Sequence, residues 1–269
     1  MRVGLLGSGY LGQTIGQLLQ LKKVPFSITT TTPTKLQSLQ KSFGCAHLLK
    51  SKDQFALEQW LKPLTHLIIC IAPKEASYSQ CYLQTSINIK PFLKNLHQTI
   101  VISSTGVYED SNGEPVDENS PTTQTGNGSI LVKTEHNYLS STSSSILRLG
   151  QVYGYERPLE NALYTDRPFI SPNNRCNLTH VVDASRAVIH VLNAQLFGIW
   201  NVCDFSNCSR QQLYEWLSQL EKIPYIFKAS TEQYLRSNKQ VISNKLKASG
   251  FEWHYPKATS KQGFRFDPS

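Results

Sequence analysis

Apolar residues cluster in short runs separated by longer stretches in which they recur every three or four positions. Residues 2–6, 26–30, 46–49, 66–71 and 99–103 form the short runs. They are near-continuously apolar or β-branched, the pattern of strands covered on both faces. Residues 11–21, 34–43, 54–61 and 77–96 have helical spacing, as with Leu11, Ile15, Leu18 and Leu19 in the first of them. Pro91 predicts a break inside the last. Strand and helix in strict alternation predict a parallel sheet with helices on both faces. Beyond residue 108 the pattern loosens. Residues 109–128 read as a polar loop, 129–139 as a helix, 145–149 as a sixth strand and 154–177 as irregular chain. A helix over 183–192 and a strand over 198–203 follow, then short helices over 209–220, 231–236 and 243–248. The expected fold is therefore α/β: a doubly wound parallel sheet of Rossmann type with a small discontinuous C-terminal cap. Residues 1–154 are expected to form the main Rossmann-type domain, completed by 179–206. Residues 155–178 and 207–269 form the cap.

The first strand runs into Gly7-Ser8-Gly9-Tyr10-Leu11-Gly12, a G-x-G-x-x-G turn that opens a helix. In that context the pattern predicts a pyrophosphate site. Gly7 permits the tight turn, Gly9 lets backbone approach the phosphates, and Gly12 allows close packing of helix on sheet. The helix N-terminus supplies free N–H groups and a positive dipole end. Gly7 to Gly12 are thus candidate cofactor contacts. In NAD sites a carboxylate about 20 residues further on takes the adenosine ribose hydroxyls. Here no Asp or Glu precedes Asp53. The second strand instead ends in a threonine run followed by Pro33, Thr34 and Lys35. Hydroxyls and a cation suit a 2′-phosphate, which a carboxylate would repel. Thr31, Thr32 and Lys35 therefore favour NADP(H) over NAD.

Composition narrows the partners. At 269 residues, 39% hydrophobic and 17% charged, the chain is expected to be a soluble globular protein with a full core. No apolar run approaches a membrane span, and the first strand is too short for a signal-peptide core. The net charge of +8 is spread over scattered Lys and Arg residues, no more than two adjacent. A basic surface, and no nucleic-acid partner, is the expectation. The six cysteines form no C-x-x-C pair and read as reduced thiols of a cytoplasmic protein. The histidines show no metal-ligand spacing with Cys or carboxylates, so no metal site is expected. Glu109, Asp110, Glu114, Asp117 and Glu118 read as a solvated acidic surface.

Several segments carry a resemblance. The stretch from Ile102 to Tyr108 is similar to the S-S-x-x-V-Y-G segment of extended short-chain dehydrogenases/reductases, in their epimerase/dehydratase branch. Ile146 to Gly154 resembles that branch's L-R-x-x-x-V-Y-G. Thr179 to Ala187 resembles H-V-D-D-V-A-R-A, and Gly198 to Cys203 resembles G-x-Y-N-V. Ser243 to Leu246, Gly250-Phe251 and Tyr255-Pro256 are similar to its C-terminal element. The G-x-G-x-x-G spacing resembles the atypical subgroup that includes YeeZ-like proteins. The resemblance implies an NAD(P)-dependent oxidoreductase or epimerase/dehydratase-like activity on a small hydroxyl- or carbonyl-bearing metabolite, from a monomer or homodimer. It implies that Ser104 binds the substrate oxygen and that Ala72 lies beside the cofactor. The family pairs its serine with Tyr-x-x-x-Lys. Here the matching helix reads Ser129-Ile-Leu-Val-Lys133, which keeps Lys133 for the nicotinamide ribose and puts Ser129 in the tyrosine's place. A serine hydroxyl is a far weaker proton donor than a lysine-assisted phenol. Tyr108, Tyr138, His136 and His180 are the available substitutes. The alternative is a non-catalytic dinucleotide-binding sensor or interaction protein.

Overall fold

Seven strands make one parallel sheet in the order β3–β2–β1–β4–β5–β7–β10, with helices flanking it. The computed structural model describes residues 1–73, 77–164, 171–223 and 237–258. The chain divides into two compact units. The first comprises Met1–Val107, Thr122–Arg148 and Ala184–Trp200; the second takes Tyr108–Pro121, Leu149–Asp183 and Asn201–Ser269.

The N-terminal elements are β1 (Val3–Leu6), α1 (Tyr10–Leu21), β2 (Phe26–Thr30), α2 (Pro33–Phe43), β3 (Ala46–Leu48), α3 (Gln54–Leu61) and β4 (His66–Ile69). Every residue of β1 and β4 is buried, as expected for strands covered on both faces. In register, Val3 lies beside both Phe26 and His66, which puts β1 between β2 and β4. The expected long helix is split. A π-turn (Ser79–Leu83) leads into α4 (Gln84–Ile89), and a 3-10 turn (Lys90–Asn95) follows with Pro91 as its second residue, whose ring cannot continue the α-helix. Then come β5 (Gln98–Ser104), a 3-10 turn (Thr105–Val107), β6 (Pro115–Val116), α5 (Gly126–Leu139) and β7 (Ser144–Leu149). Helix α5 begins three residues ahead of the sequence expectation.

The first unit's core joins Leu6, Leu67, Ile69 and Val101 of the sheet to Leu57, Trp60 and Leu61 of α3 and Tyr138 of α5. The Trp60 indole N–H donates to Ser27 Oγ at 3.0 Å, so this large side chain is buried with its polar atom satisfied. Gly4 makes room for it: a Cβ there would come within 2.9 Å of the Trp60 ring and 2.3 Å of Leu64.

The remaining elements are β8 (Gln151–Tyr153), a 3-10 turn (Leu159–Tyr164), β9 (Leu178–His180), α6 (Val181–Asn193), β10 (Gly198–Val202), α7 (Arg210–Glu221), β11 (Gln240–Val241) and α8 (Asn244–Ala248). Two small parallel sheets that the sequence pattern did not signal, β8–β9 and β6–β11, belong to the second unit. Its small core gathers Tyr153, Leu159, Leu178, Cys208, Leu213 and Leu217. The helix expected over 231–236 lies outside the described residues. Among the described residues no helix is long and apolar enough to cross a membrane.

Candidate dinucleotide site

The strand order reverses at β1, since β2 and β3 lie on one side of it and β4 and β5 on the other. In open α/β sheets ligands bind beyond the carboxyl ends of the strands at such a point. The glycine turn stands there. Gly7 has φ +110°, a region that favours glycine, and its N–H donates to Thr29 Oγ1 of β2 at 3.1 Å. A Cβ on Gly7 would lie 2.2 Å from the Cys70 carbonyl oxygen. Gly9 is the N-cap of α1, and a Cβ there would meet nothing within 4 Å. The two glycines therefore do different work. Gly7 is required by the fold, whereas Gly9 leaves an open face above the first N–H groups of α1. Gly12 packs against the turn rather than the sheet: its Cβ would lie 2.3 Å from the Gly7 carbonyl oxygen. Ser8, Tyr10 and Leu11 are buried, and Gln13 Nε2 donates to the Ser8 carbonyl at 3.3 Å.

The adenosine end of such a site falls at the end of β2. Thr31 is exposed, and half-buried Thr32 is the N-cap of α2. The Thr32 N–H donates to Thr30 Oγ1 at 3.1 Å, while the Thr32 hydroxyl makes no capping bond. Lys35, half-buried, lies in the first turn of α2, which carries no acidic residue. Sequence reasoning missed a further cation. Thr30 lies beside Leu48 in the parallel register, and the Leu49 N–H donates to the Thr30 carbonyl at 2.9 Å. Lys50 therefore leaves the sheet at the same edge as Thr32. It lines an open groove of about 410 Å³ with Leu48, Lys52, Asp53 and Ala56. The Asp53 carboxylate there is engaged in capping α3, accepting from the Ala56 N–H at 3.0 Å. The signal for Lys50 was register, which appears only once β3 is paired with β2. Ala72 is exposed in the segment after β4.

Ser104 is the last residue of β5 and half-buried. Its Oγ accepts from the Gly106 N–H at 3.1 Å, capping the 3-10 turn, and this leaves its own proton free to donate. The structure does not bring Ser129 and Lys133 to it. Lys133 is exposed, and it lies about 200° around α5 from Glu135, which is buried. Glu135 is held by Ser103 of β5, which donates to Oε1 at 2.5 Å, and by Arg148 of β7, whose NH2 group donates to Oε2 at 2.6 Å. The α5 face turned toward β5 thus carries Gly128, Leu131 and Glu135. A Cβ on Gly128 would sit 2.5 Å from the Gly106 carbonyl oxygen. Ser129 turns its hydroxyl back on the helix, donating to the Gly126 carbonyl at 2.9 Å. The i, i+4 spacing does put Ser129 and Lys133 on one face, but it is the other face.

The substitute acids and bases have structural partners or surroundings. Tyr108 is buried and donates to Asn201 Oδ1 at 2.6 Å. Tyr138 is buried in the first unit's core, and burial pushes its phenol up. His136 is exposed. His180 is buried between Tyr153 and Tyr255, with ring centroids 5.1 and 3.8 Å away, and burial lowers it to about 4. The acidic loop is partly structural: Asp110 accepts from the Asn112 and Asn238 N–H groups, and Glu118 accepts from the Asn201 N–H at 2.7 Å. Among the described residues no three His, Cys, Asp or Glu side chains stand close enough to share a metal ion.

One carboxylate of the second unit sets a pH dependence. Burial, with the nearby Asp183 charge adding to it, raises Asp204 to about 7, although Ser206 and Tyr153 hydrogen bonds oppose the shift. A raised carboxyl binds more protons folded than unfolded. Its contribution is present below about pH 3.8 and lost as pH rises to about 7. His180 acts oppositely, losing stability as pH falls from about 6.5 to about 4. Asp204→Asn is expected to gain on the wild type by at least about 1 kcal/mol between pH 4 and pH 8. Urea unfolding midpoints at the two pH values test this, and a constant difference would refute it.

No family model matches this sequence, and no curated protein matches it. Solved structures do. A functionally unknown conserved protein from Silicibacter pomeroyi is 22% identical, covering 96% of this chain and 95% of its own, with a TM-score of 0.79. The Thermus thermophilus UDP-glucose 4-epimerase in complex with NAD is 18% identical over 98% of this chain and 96% of its own, with a TM-score of 0.81. The dTDP-glucose 4,6-dehydratase of Bacillus anthracis in complex with NAD is 15% identical over 98% and 94%, with a TM-score of 0.78. At these identities the likeness shows a shared fold, the Rossmann-like α/β fold of such epimerases and dehydratases.

Proposed function

We propose that this chain binds a nicotinamide dinucleotide at the β1–α1 turn and works as an oxidoreductase or epimerase/dehydratase-like protein on a small hydroxyl- or carbonyl-bearing molecule. The observation that carries the reading is the open face above Gly9 at the point where strand order reverses. A side chain there would occupy space that the turn leaves clear, and the N–H groups of α1 suit a pyrophosphate. When bound, the dinucleotide would supply hydride transfer. Ser104 would donate its free proton to the substrate oxygen. The chain fits an atypical branch of short-chain dehydrogenases/reductases, since its α5 presents Gly128 and Leu131 toward β5 where a proton-relaying pair would be needed.

The preferred cofactor is NADP(H). The Thermus and Bacillus anthracis structures hold NAD, which speaks for NAD in this fold. Against it stand the absence of acid in the first turn of α2, the Thr32 hydroxyl, and the lysines at 35 and 50. A second reading, binding without turnover, is favoured by the α5 face just described. Calorimetric titration with NADPH and NADH tests the proposal. NADPH should bind at least about tenfold more tightly, a difference of about 1.4 kcal/mol. Lys35→Glu and Lys50→Glu should each reduce that preference. Binding of neither dinucleotide would overturn the reading. Carbonyl-dependent NADPH oxidation that disappears in Ser104→Ala would decide for the enzyme; binding with no turnover across a carbonyl panel would decide for the sensor.

A further inference from the structure

Cys176 and Cys208 face one another in the second unit, away from any role in the dinucleotide site. Arg175 and Ser209 form an isolated antiparallel bridge, flanked by backbone bonds from the Cys176 N–H to the Cys208 carbonyl and from the Arg210 N–H to the Asn174 carbonyl, both 2.9 Å. This register makes residues 176 and 208 direct cross-strand neighbours. Such neighbours have Cα atoms about 5.5 Å apart, inside the span a disulfide bridges. Both cysteines are free thiols here.

Their surroundings differ in a useful way. Cys208 immediately precedes Ser209, the N-cap of α7, where the helix end favours an anion. The neighbouring Cys176 thiol, with the Arg175 guanidinium, holds Cys208 below the usual thiol range. The neighbouring Cys208 sulfur, with burial, pushes Cys176 up, so Cys176 keeps the proton. One sulfur is prepared as nucleophile and its neighbour as proton donor. Both pack on Tyr153, Leu159, Leu178, Leu213 and Leu217, a rigid surround for the pair.

We infer that Cys176 and Cys208 are an oxidisable dithiol, a modification site whose oxidant class is hydroperoxide. The Cys208 thiolate attacks a peroxide oxygen, the O–O bond breaks, and hydroxide leaves. Cys208 becomes a sulfenic acid. The Cys176 sulfur then attacks the Cys208 sulfur, the S–O bond breaks, and water leaves with the Cys176 proton. Two thiols are oxidised to one disulfide, and one hydrogen peroxide is reduced to two waters. The link ties the segment entering β9 to the start of α7.

The test exposes the full-length folded protein to hydrogen peroxide, blocks remaining thiols by alkylation, and maps peptides without reduction. Cleavage before Asp204 separates Cys203 from Cys208. The expected product is a Cys176–Cys208 linked peptide that dithiothreitol abolishes, with Cys45, Cys70, Cys81 and Cys203 alkylated. The oxidised chain should melt several degrees higher, and the shift should reverse on reduction. In Cys176→Ser, Cys208 should stop at the sulfenic acid and be trapped by dimedone. The proposal is overturned if Cys176 and Cys208 stay alkylatable after oxidation, or if Cys208 links to another cysteine. The wild-type map decides alone if the variant does not fold.

Discussion

Gly7→Ala is expected to destabilise the protein by about 4 kcal/mol, and Gly9→Ala by less than about 0.5 kcal/mol, although the two residues stand in one turn. At Gly7 the backbone sits at φ +110°, where a side chain is strained. The new methyl also falls 2.2 Å from the backbone oxygen of Cys70, directly after β4. Backbone cannot swing aside as a side-chain tip can, so relief requires β1 and β4, neighbours in the sheet, to part. At Gly9 the methyl meets nothing within 4 Å and φ is −72°, so the fold is indifferent. Binding should invert the order. If the pyrophosphate lies over Gly9, Gly9→Ala should weaken NADPH at least about tenfold with an unchanged urea midpoint. Urea unfolding and calorimetry on the same two variants separate the outcomes. Equal stability losses would sink the assignment of separate roles, and unaltered NADPH affinity in Gly9→Ala would place the phosphates elsewhere.

Glu135→Ala is expected to cost about 3–5 kcal/mol, since it strands the Arg148 guanidinium in the core without a counter-charge. Arg148 and Glu135 are 3% and 2% exposed, and the contact is bidentate: Nε lies 3.2 Å from each carboxylate oxygen, and the NH2 group 2.6 Å from Oε2. Ser103 would lose its acceptor as well. The double variant Glu135→Leu with Arg148→Met removes both charges, and it should recover most of the loss, because well-packed apolar replacements of buried ion pairs are often neutral. Urea unfolding of the single and double variants measures this. A double variant as unstable as the single one would show that shape rather than charge is at stake.

The sheet could be read from the sequence because its strands are apolar on both faces and its turn glycines are local. The runs at residues 3–6, 26–30 and 66–69 need no partner to be recognised as strands. The break at Pro91 is equally local, being a missing N–H and a ring clash. The α5 face was misjudged for a physical reason. Counting four residues back from Lys133 finds Ser129, but which face turns inward depends on partners distant in sequence. Glu135 is drawn in by Ser103 and Arg148, and that commits Leu131 and Gly128 to the same side. The one available hint was Arg148, a charge in the middle of an apolar run. The lysine at 50 and the pairing of Cys176 with Cys208 were invisible for the same reason, since each depends on strand register. The start of α5 at Gly126 eluded the pattern because its first residues are Gly, Asn and Gly, poor helix formers that tertiary packing overrides.

The path of the chain between the two units has a consequence for synthesis. It passes from one unit to the other after Val107, Pro121, Arg148, Asp183 and Trp200. Neither unit is a continuous segment, so neither can be obtained by trimming an end. A ribosome that has released β1 to β5 has delivered five of the seven sheet strands, but β7 and β10 are still to come. β5 is an open edge of unpaired backbone N–H and C=O groups until residue 149 is out, and β7 is one until residue 202 is out. The nascent chain is thus born with an adhesive edge, shielded only when its own later strands arrive.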